Sequence, residues 1–146
     1  MTERIPFRPV DPDGAGWSMP PSVPAGTRLS LSRAPLLDGA ESSFDDWMGM
    51  LHERYDECVA SLDAERMGFE ATFLHQEADG SWWMYHLQVV GETGAELDLS
   101  HAIGRDHLEF AMKTKHPGWE ELQPRLFLAP ADVRDAIMRA TLPKRG

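Results

Sequence analysis

The sequence predicts an α+β domain whose elements follow the order strand, helix, strand, strand, helix, strand, helix. Three observations carry this prediction: one long helical stripe, one Asp-Gly hairpin, and two helical runs long enough to act as crossovers. The order is typical of the ferredoxin-like split βαββαβ arrangement with an antiparallel sheet, here with an extra C-terminal helix. The chain has 146 residues, the size of one ordinary domain.

The N-terminal arm, residues 1–26, differs in composition from the domain predicted over residues 27–146. Its prolines exclude a helix or a central strand, and they are Pro6, Pro9, Pro12, Pro20, Pro21 and Pro24. Two interpretations stay open. The arm is a disordered tail, or it docks on a neighbouring surface through its apolar residues Ile5, Phe7, Val10 and Trp17.

The first strand and the first helix follow from a change of period. Thr27 to Ser32 alternates polar and apolar residues, which predicts a half-buried strand with Leu29 and Leu31 on one face. From Ser42, apolar residues recur at intervals of three and four up to Leu62. This stripe predicts one continuous helix that ends near Met67 and is capped by Ser42 or Ser43.

A hairpin is predicted next, with strands Phe69 to Glu77 and Trp82 to Val90 around Asp79-Gly80. A three-residue loop would place Thr72 and Glu70 beside His86 and Gln88. We favour this register over the two-residue one because it keeps the apolar sets of the two strands together.

The last three elements are less regular. Ser100 to Lys115 predicts a helix with Ile103 and His107 on its apolar stripe, and residues 123–128 predict a strand. Pro124 favours an edge position for that strand. A final helix is predicted to start after Pro130.

Charge and composition exclude several classes of function. The formal net charge of −10 would repel phosphate backbones, so no nucleic-acid partner is expected. No apolar run reaches the roughly 18 residues of a membrane span, and the N-terminus lacks the apolar region of a secretory signal. A cytoplasmic protein without a membrane partner is therefore expected. The single cysteine, Cys58, allows no intramolecular disulfide.

The run WMGMLHERYDECVASLDAERMGFEATFLHQEADGSWWMYHLQVV, followed by RDHLEF, resembles a family of small uncharacterised bacterial proteins. The likeness covers residues 42–110, and the proline-rich N-terminus departs from it. That family is similar to the dimeric α/β-barrel proteins, in which two ferredoxin-like sheets pair into a barrel. Relatives by fold include cofactor-free monooxygenases of aromatic polyketides, small isomerases and haem-binding enzymes. The resemblance implies a homodimer.

The third strand presents two alternating sets of side chains. We expect Trp83, Tyr85, Leu87 and Val89 to pack under the helices. The other set contains Trp82, Met84, His86, Gln88 and Val90, and it would then form an apolar patch on the opposite face. Such a patch is too large for a soluble monomer, so a second subunit is expected to cover it and to enclose a pocket.

Histidines are the candidate catalytic residues. His86 can serve as a general acid or base, and His107 is expected to approach the same pocket from the second helix. The competing interpretations are a hydrogen-bonded interface histidine for His86 and a buried, backbone-bonded histidine for His107. The residues predicted to bind the substrate are Trp82, Met84, Thr72, Leu74, Glu70 and His101.

No metal site and no cofactor are predicted. His101 and His107 lie on roughly opposite sides of a helix, and no HExxH or CxxC motif occurs. Haem held by one histidine is not excluded by spacing. Cys58, on the buried stripe of the first helix, is expected to be a small apolar residue rather than a nucleophile. The expected function is acid–base chemistry on an aromatic or polyketide-like molecule, of the cyclase, isomerase or cofactor-free oxygenase type. The alternatives are a non-catalytic small-molecule binder, a haem- or metal-binding barrel protein, or a purely structural dimer.

Overall fold

A computed structural model describes residues 18–91 and 100–142 of the chain. Eight elements follow one another in these residues. They are β1 (Thr27–Pro35), α1 (Glu41–Glu53), α2 (Tyr55–Ala64), β2 (Met67–Gln76), β3 (Trp82–Gly91), α3 (Ala102–Thr114), β4 (Glu120–Leu122) and α4 (Ala131–Thr141). The α+β class is confirmed. None of the helices in the described ranges has the length and apolar character needed to cross a membrane.

The sheet is antiparallel, with four strands in the order β2-β3-β1-β4. Thr72 lies opposite His86 and Glu70 opposite Gln88, so the favoured hairpin register is confirmed. The turn between β2 and β3 depends on Gly80, which has φ of 90°, and on Asp79. The Asp79 carboxylate accepts a hydrogen bond from the backbone N–H of Ser81 at 2.9 Å.

Helices α1 and α3 pack together on one face of this sheet and enclose the core. Trp47 is fully buried there, and Phe44 meets it edge-on with ring centroids 6.3 Å apart. The core cluster consists of Ala34, Leu36, Ala40, Phe44, Trp47, Met84 and Ala111.

The face assignment for β3 was wrong, and this corrects the position of His86. Met84 and His86 are each 1% exposed on the helix side, while Trp83 and Tyr85 are only half-buried on the opposite face. The reason lies in β1, where small residues oppose the large ones: Ala34 faces Met84, and Ser32 faces His86. Small β1 side chains leave space for the bulky residues of α1 under this face. The inner face of β1 accordingly carries Ser30 and Ser32, not Leu29 and Leu31.

Helix α4 covers one end of the opposite face. Its start after Pro130 confirms the prediction for the last helix. Its final residue, Thr141, is buried and shares a 2.8 Å hydroxyl–hydroxyl hydrogen bond with Thr27 of β1. The backbone at Gly91 lies so close to Thr141 that no side chain fits between them.

The predicted first helix is two helices. The chain breaks at Arg54, where φ is −110° and ψ is 37°. The Arg54 guanidinium pairs with Glu57 at 2.8 Å and with Asp106 of α3 at 2.5 Å, which fixes the break against α3. The break cannot be predicted from the apolar stripe, because the spacing of three and four residues continues across the bend. The N-cap of α1 is Ala40, without a side-chain cap, so the predicted serine caps were wrong.

Strand β4 occupies Glu120–Leu122 and not the predicted residues 123–128. Pro124 has no backbone N–H to donate to a neighbouring strand, which fits the early end of the pairing. Beyond it, Leu126 and Leu128 are more than two thirds exposed.

The described end of the N-terminal arm lies on the body of the protein. Val23 is buried, the Ser22 hydroxyl donates to the Phe127 carbonyl, and the Arg134 side chain donates to the Ser22 carbonyl at 3.3 Å. The proposed anchors of the arm lie outside the described residues, and they are Ile5, Phe7, Val10 and Trp17.

Candidate functional site

A cavity of about 430 Å³ lies between α1, α2, β2 and the start of α3. Its volume falls within the range of small-molecule sites, and its walls are mostly apolar. The titratable and hydrogen-bonding side chains in the walls include His52, Tyr55, Cys58, Glu65, Glu70, Thr72, His101 and His107. Apolar walls interrupted by convergent polar groups are typical of a site that orients a largely apolar ligand.

The cavity exists because α2 leaves the line of α1. After the break at Arg54, α2 passes over the edge strand β2 without burying any of its own residues. Cys58 and Leu62, which would belong to the buried stripe of one continuous helix, line the cavity instead. Cys58 is therefore half-buried rather than part of a closed core.

His107 is held in one orientation by Trp47. The indole N–H of Trp47 donates to Nδ1 of His107 at 2.8 Å, and the two rings meet edge-on with centroids 5.4 Å apart. Because Nδ1 accepts this bond, the neutral ring carries its proton on Nε2. The partner of Nδ1 is thus an indole N–H and not a backbone group. The ring is fixed as a hydrogen-bond donor beside the cavity.

Glu70 connects the cavity with His86. Glu70 lines the cavity, and its Oε2 lies 3.6 Å from Nε2 of His86. The same nitrogen lies 3.2 Å from Oε1 of Gln88. His86 does not itself line the cavity; it is buried behind Glu70, with its ring centroid 5.9 Å from that of Trp119. His86 is therefore placed to position Glu70 rather than to touch a ligand.

Two polar rows cross the buried face of the sheet behind the cavity. Ser32, His86 and Thr72 form one row across β1, β3 and β2. Ser30, Gln88 and Glu70 form the next row. Ser30, Ser32, His86 and Gln88 are each at most 3% exposed. The inner face of a sheet is usually apolar, since burying polar groups costs free energy unless they are hydrogen-bonded. Such rows are typical of functional sites.

The predicted site residues divide into two groups. His107, Glu70, Thr72 and His101 line the cavity. His86 lies behind Glu70, while Met84 belongs to the core cluster and Leu74 and Trp82 pack against it. The structure therefore does not bring His86, Trp82 and Met84 together around a pocket. The expectation of one cavity lined by both histidines was wrong.

Several cavity residues were missed by the sequence analysis. Tyr55 and Cys58 were assigned to the packing stripe of one helix, and Glu65 was not singled out. One feature of the sequence could have indicated them: the apolar stripe continues on both sides of the charged segment around Arg54. A bend at that point would have turned the second half of the stripe into a pocket wall.

The pKa of the Cys58 thiol reflects the burial and the charges around the cavity. Desolvation by burial raises the pKa of its thiol above the ordinary 9.0, and the nearby Glu70 carboxylate raises the pKa further. Arg54 acts in the opposite direction. The thiol is therefore protonated and poorly reactive at neutral pH.

We expect Glu70→Gln to speed the labelling of Cys58 by a thiol reagent a few-fold at pH 8, because removing the carboxylate charge lowers the thiol pKa. Cys58 is the only cysteine of the chain. The time course of the coloured product released by a disulfide reagent therefore gives the labelling rate of Cys58. Glu109→Gln, which removes a charge from the exposed side of α3, is the control and should leave the rate unchanged. Equal rates for both variants would contradict the placement of Glu70.

No group of three or more His, Cys, Asp or Glu side chains suited to a metal ion occurs within residues 18–91 and 100–142.

Comparison with known proteins identifies the chain by family only. No curated protein and no solved structure matches it. The model of a family of unknown function, DUF6176, matches residues 27–135, about three quarters of the chain. The matched region contains every wall of the cavity described above. The chain belongs to this family of unknown function, DUF6176.

Proposed function

We propose that the protein is an enzyme that binds a small, largely apolar molecule in the cavity and acts on it by acid–base chemistry. The observation that carries the proposal is a mostly apolar cavity with a carboxylate, Glu70, and an imidazole of fixed tautomer, His107, in its walls. An aromatic or polyketide-like substrate fits these walls. The reaction class is that of an isomerase, a cyclase or a cofactor-free oxygenase.

The two side chains suit opposite halves of a proton transfer. Glu70, as a carboxylate, accepts a proton from a carbon next to a carbonyl group. His107 donates its Nε2–H to the carbonyl oxygen, on which negative charge develops as that proton leaves. The apolar walls strengthen both interactions, since charges act more strongly beside apolar groups than in bulk water. His86, 3.6 Å from Glu70, orients the carboxylate.

Occupancy and turnover test the proposal separately. A panel of aromatic ketones and phenols is screened for compounds that protect Cys58 from labelling. Protective ketones are then incubated in heavy water, and NMR follows deuterium incorporation next to the carbonyl. We expect Glu70→Gln to lower the exchange rate by 10²-fold or more, in line with the loss of a general base. Glu109→Gln serves as the control.

Binding with no exchange, or exchange unaffected by Glu70→Gln, would overturn the catalytic proposal. Binding alone would identify the protein as a small-molecule binder with the same cavity. That alternative depends on the same walls and differs only in the role of Glu70.

We also propose that the domain is ferredoxin-like and pairs with a second copy through the sheet face away from α1 and α3. The strand order β2-β3-β1-β4 with helices between β1 and β2 and between β3 and β4 supports the first part. Phe73 and Leu122 are exposed on or beside this face, and Trp83, Tyr85 and Leu87 are half-buried there. An apolar surface of this kind favours association. The cavity lies on the helix side and is distinct from this face.

We expect the protein to sediment as a dimer at micromolar concentration, and Phe73→Asp to shift it to a monomer, because the charge would be desolvated in the interface. Met112→Asp, on the exposed side of α3, should remain a dimer. A monomeric wild type would contradict the proposal.

A further inference from the structure

Strand β2 lies at one edge of the sheet, and its free edge forms part of the cavity wall. Among residues 18–91 and 100–142, no strand pairs with β2 on the side away from β3. The lining contains five consecutive residues of this strand: Gly68, Phe69, Glu70, Ala71 and Thr72. Neighbouring side chains of a strand point to opposite faces, so one face would contribute only every second residue. A wall built from five residues in a row therefore includes the backbone edge of the strand.

The hydrogen-bond pattern of the hairpin determines which backbone groups of β2 point to this edge. The N–H of Glu77 donates to the carbonyl of Ser81 at 2.8 Å, so these two residues form a hydrogen-bonded pair. Along an antiparallel ladder, hydrogen-bonded pairs alternate with pairs whose backbone groups point away from the partner strand. The register has no shift between this turn and Phe69. Ala71 therefore directs its N–H and carbonyl toward β3, and Thr72 directs both groups to the free edge.

A contact between β1 and β3 agrees with this alternation. The N–H of Leu36 donates to the carbonyl of Trp82 at 2.9 Å, so Trp82 turns its backbone toward β1. Gln76, which lies opposite Trp82 in β2, then points away from β3, as does every second residue from there to Thr72. Within the described part of the chain, no hydrogen bond satisfies the N–H or the carbonyl of Thr72 on the free edge.

Helix α2 supplies an apolar wall opposite this polar edge. Tyr55, Val59 and Leu62 follow one another at intervals of four and three residues, and all three line the cavity. Tyr55 is 63% exposed and Val59 is 46% exposed, so these side chains are not used by the core. A ligand between α2 and β2 therefore meets apolar side chains on one side and backbone hydrogen-bonding groups on the other.

The free edge sets a condition on the ligand. A molecule that fills the cavity removes water from the N–H and the carbonyl of Thr72, and a purely apolar molecule would leave both groups unpaired at a cost in free energy. A single trans amide cannot pair with both groups, because its own N–H and carbonyl point in opposite directions. An amino-acid unit, HN–Cα–C=O, presents both groups to the same side, as a paired strand residue does.

We infer that the ligand of this cavity is a small N-acylated amino-acid derivative with an apolar side chain. Its N–H donates to the carbonyl of Thr72, its carbonyl accepts from the N–H of Thr72, and its side chain lies between α2 and β2. The inference rests on the proposed function and names the substrate class of the same cavity. The carbon between the two groups is next to a carbonyl, as the proposed proton transfer requires. The volume of about 430 Å³ suits a small molecule rather than a peptide strand along all ten residues of β2.

Two uncharged probes of the same shape test the inference. One is N-acetylphenylalanine methylamide, and the other is its analogue in which an ester oxygen replaces the N–H of the phenylalanine unit. Calorimetry measures the affinity of each probe for the full chain. We expect the amide to bind about tenfold or more tightly than the ester, because the ester oxygen cannot donate to the Thr72 carbonyl and leaves it unpaired.

Thr72→Pro removes the other half of the pairing, the backbone N–H. Because this N–H makes no bond in the ladder, the position is one of the few in a sheet that tolerate proline. We expect the affinity for the amide probe to fall about tenfold. Gln76→Pro is the matched control, since Gln76 also points to the free edge but is exposed and lies outside the cavity lining. It should leave the affinity unchanged.

Hydrogen exchange gives a readout that needs no variant. In the free protein the amide of Thr72 should exchange fast, and that of Ala71, which is bonded to β3, should exchange slowly. Saturation with the amide probe should slow exchange at Thr72 about tenfold or more. A Thr72 amide that is already protected in the free protein, or that stays unprotected in the complex, would overturn the inference even if Thr72→Pro did not fold.

The outcomes separate the ligand class from the proposed reaction. Equal affinities of the amide and the ester, or binding of neither, would overturn the inference. The proposed function would stand in both cases if ketones still exchanged their protons in a Glu70-dependent way. Tight and selective binding of the amide without any Glu70-dependent exchange would instead retain the ligand class and overturn the catalytic proposal.

Discussion

Trp47→Ala is expected to lower the free energy of unfolding by about 3–5 kcal/mol, the usual cost of removing a large buried ring. Trp47 is fully buried in the core cluster beside Phe44 and Met84, so no water replaces the lost contacts. For a chain of this length the change corresponds to a fall in melting temperature of about 10 °C or more. Chemical denaturation followed by circular dichroism measures it.

Trp47→Phe separates the packing of the ring from its hydrogen bond. Phenylalanine keeps an aromatic ring but cannot donate to Nδ1 of His107. We expect a smaller loss, about 1–3 kcal/mol, and a mixture of His107 tautomers in the nitrogen NMR spectrum of the imidazole. Met112→Ala, at an exposed position of α3, is the control for truncation. An unchanged His107 tautomer in Trp47→Phe would contradict the role assigned to the indole.

Gly91→Ala is the second substitution with a large expected effect. A methyl group at this position would overlap the backbone carbonyl oxygen of Thr141, which a rotation of a side chain cannot relieve. Either α4 moves away from the sheet, or the end of β3 shifts. We expect a loss of about 1–3 kcal/mol, as for other overpacked sites, together with weakening of the Thr27–Thr141 hydrogen bond.

Hydrogen exchange locates the effect of Gly91→Ala. The amides of α4 should lose protection while those of α1 and α3 keep theirs, because α4 packs on the other side of the sheet. Gly49→Ala is the matched control: its site on α1 is exposed, has no atom within 4 Å of the new methyl group, and is helical. Alanine there should raise stability by about 0.5–1 kcal/mol. If the α4 amides of Gly91→Ala exchanged as slowly as those of the wild type, the close contact between Gly91 and the Thr141 carbonyl would be contradicted.

Local signals in the sequence predicted the order of most elements. The Asp79-Gly80 turn predicted the hairpin, and Pro130 predicted the start of α4. Turn residues and helix starts are local, because each depends on the conformation of a few neighbouring residues. Edge strand β4 was misplaced, since Glu120–Leu122 carries no apolar alternation and is recognised only by its pairing with β1.

The candidate site was less accessible to sequence reasoning. Glu70, Thr72, His101 and His107 line one cavity, but the pocket was expected in a dimeric barrel and this cavity lies under α2 instead. The break at Arg54 creates that pocket. At that break Arg54 pairs with Asp106, which lies 52 positions further along the chain.

The sequence by itself determined the α+β class and the alternation of β3 into two sets of side chains, and it favoured, without fixing, the hairpin register that the structure shows. Alternation specifies which residues share a face, but not which face is buried, because Trp82, Met84, Trp83 and Leu87 make both sets large and apolar. Only the tertiary structure decided that question. The small residues Ala34 and Ser32 of β1 admit Met84 and His86 under the helices, and this packing places His86 behind Glu70.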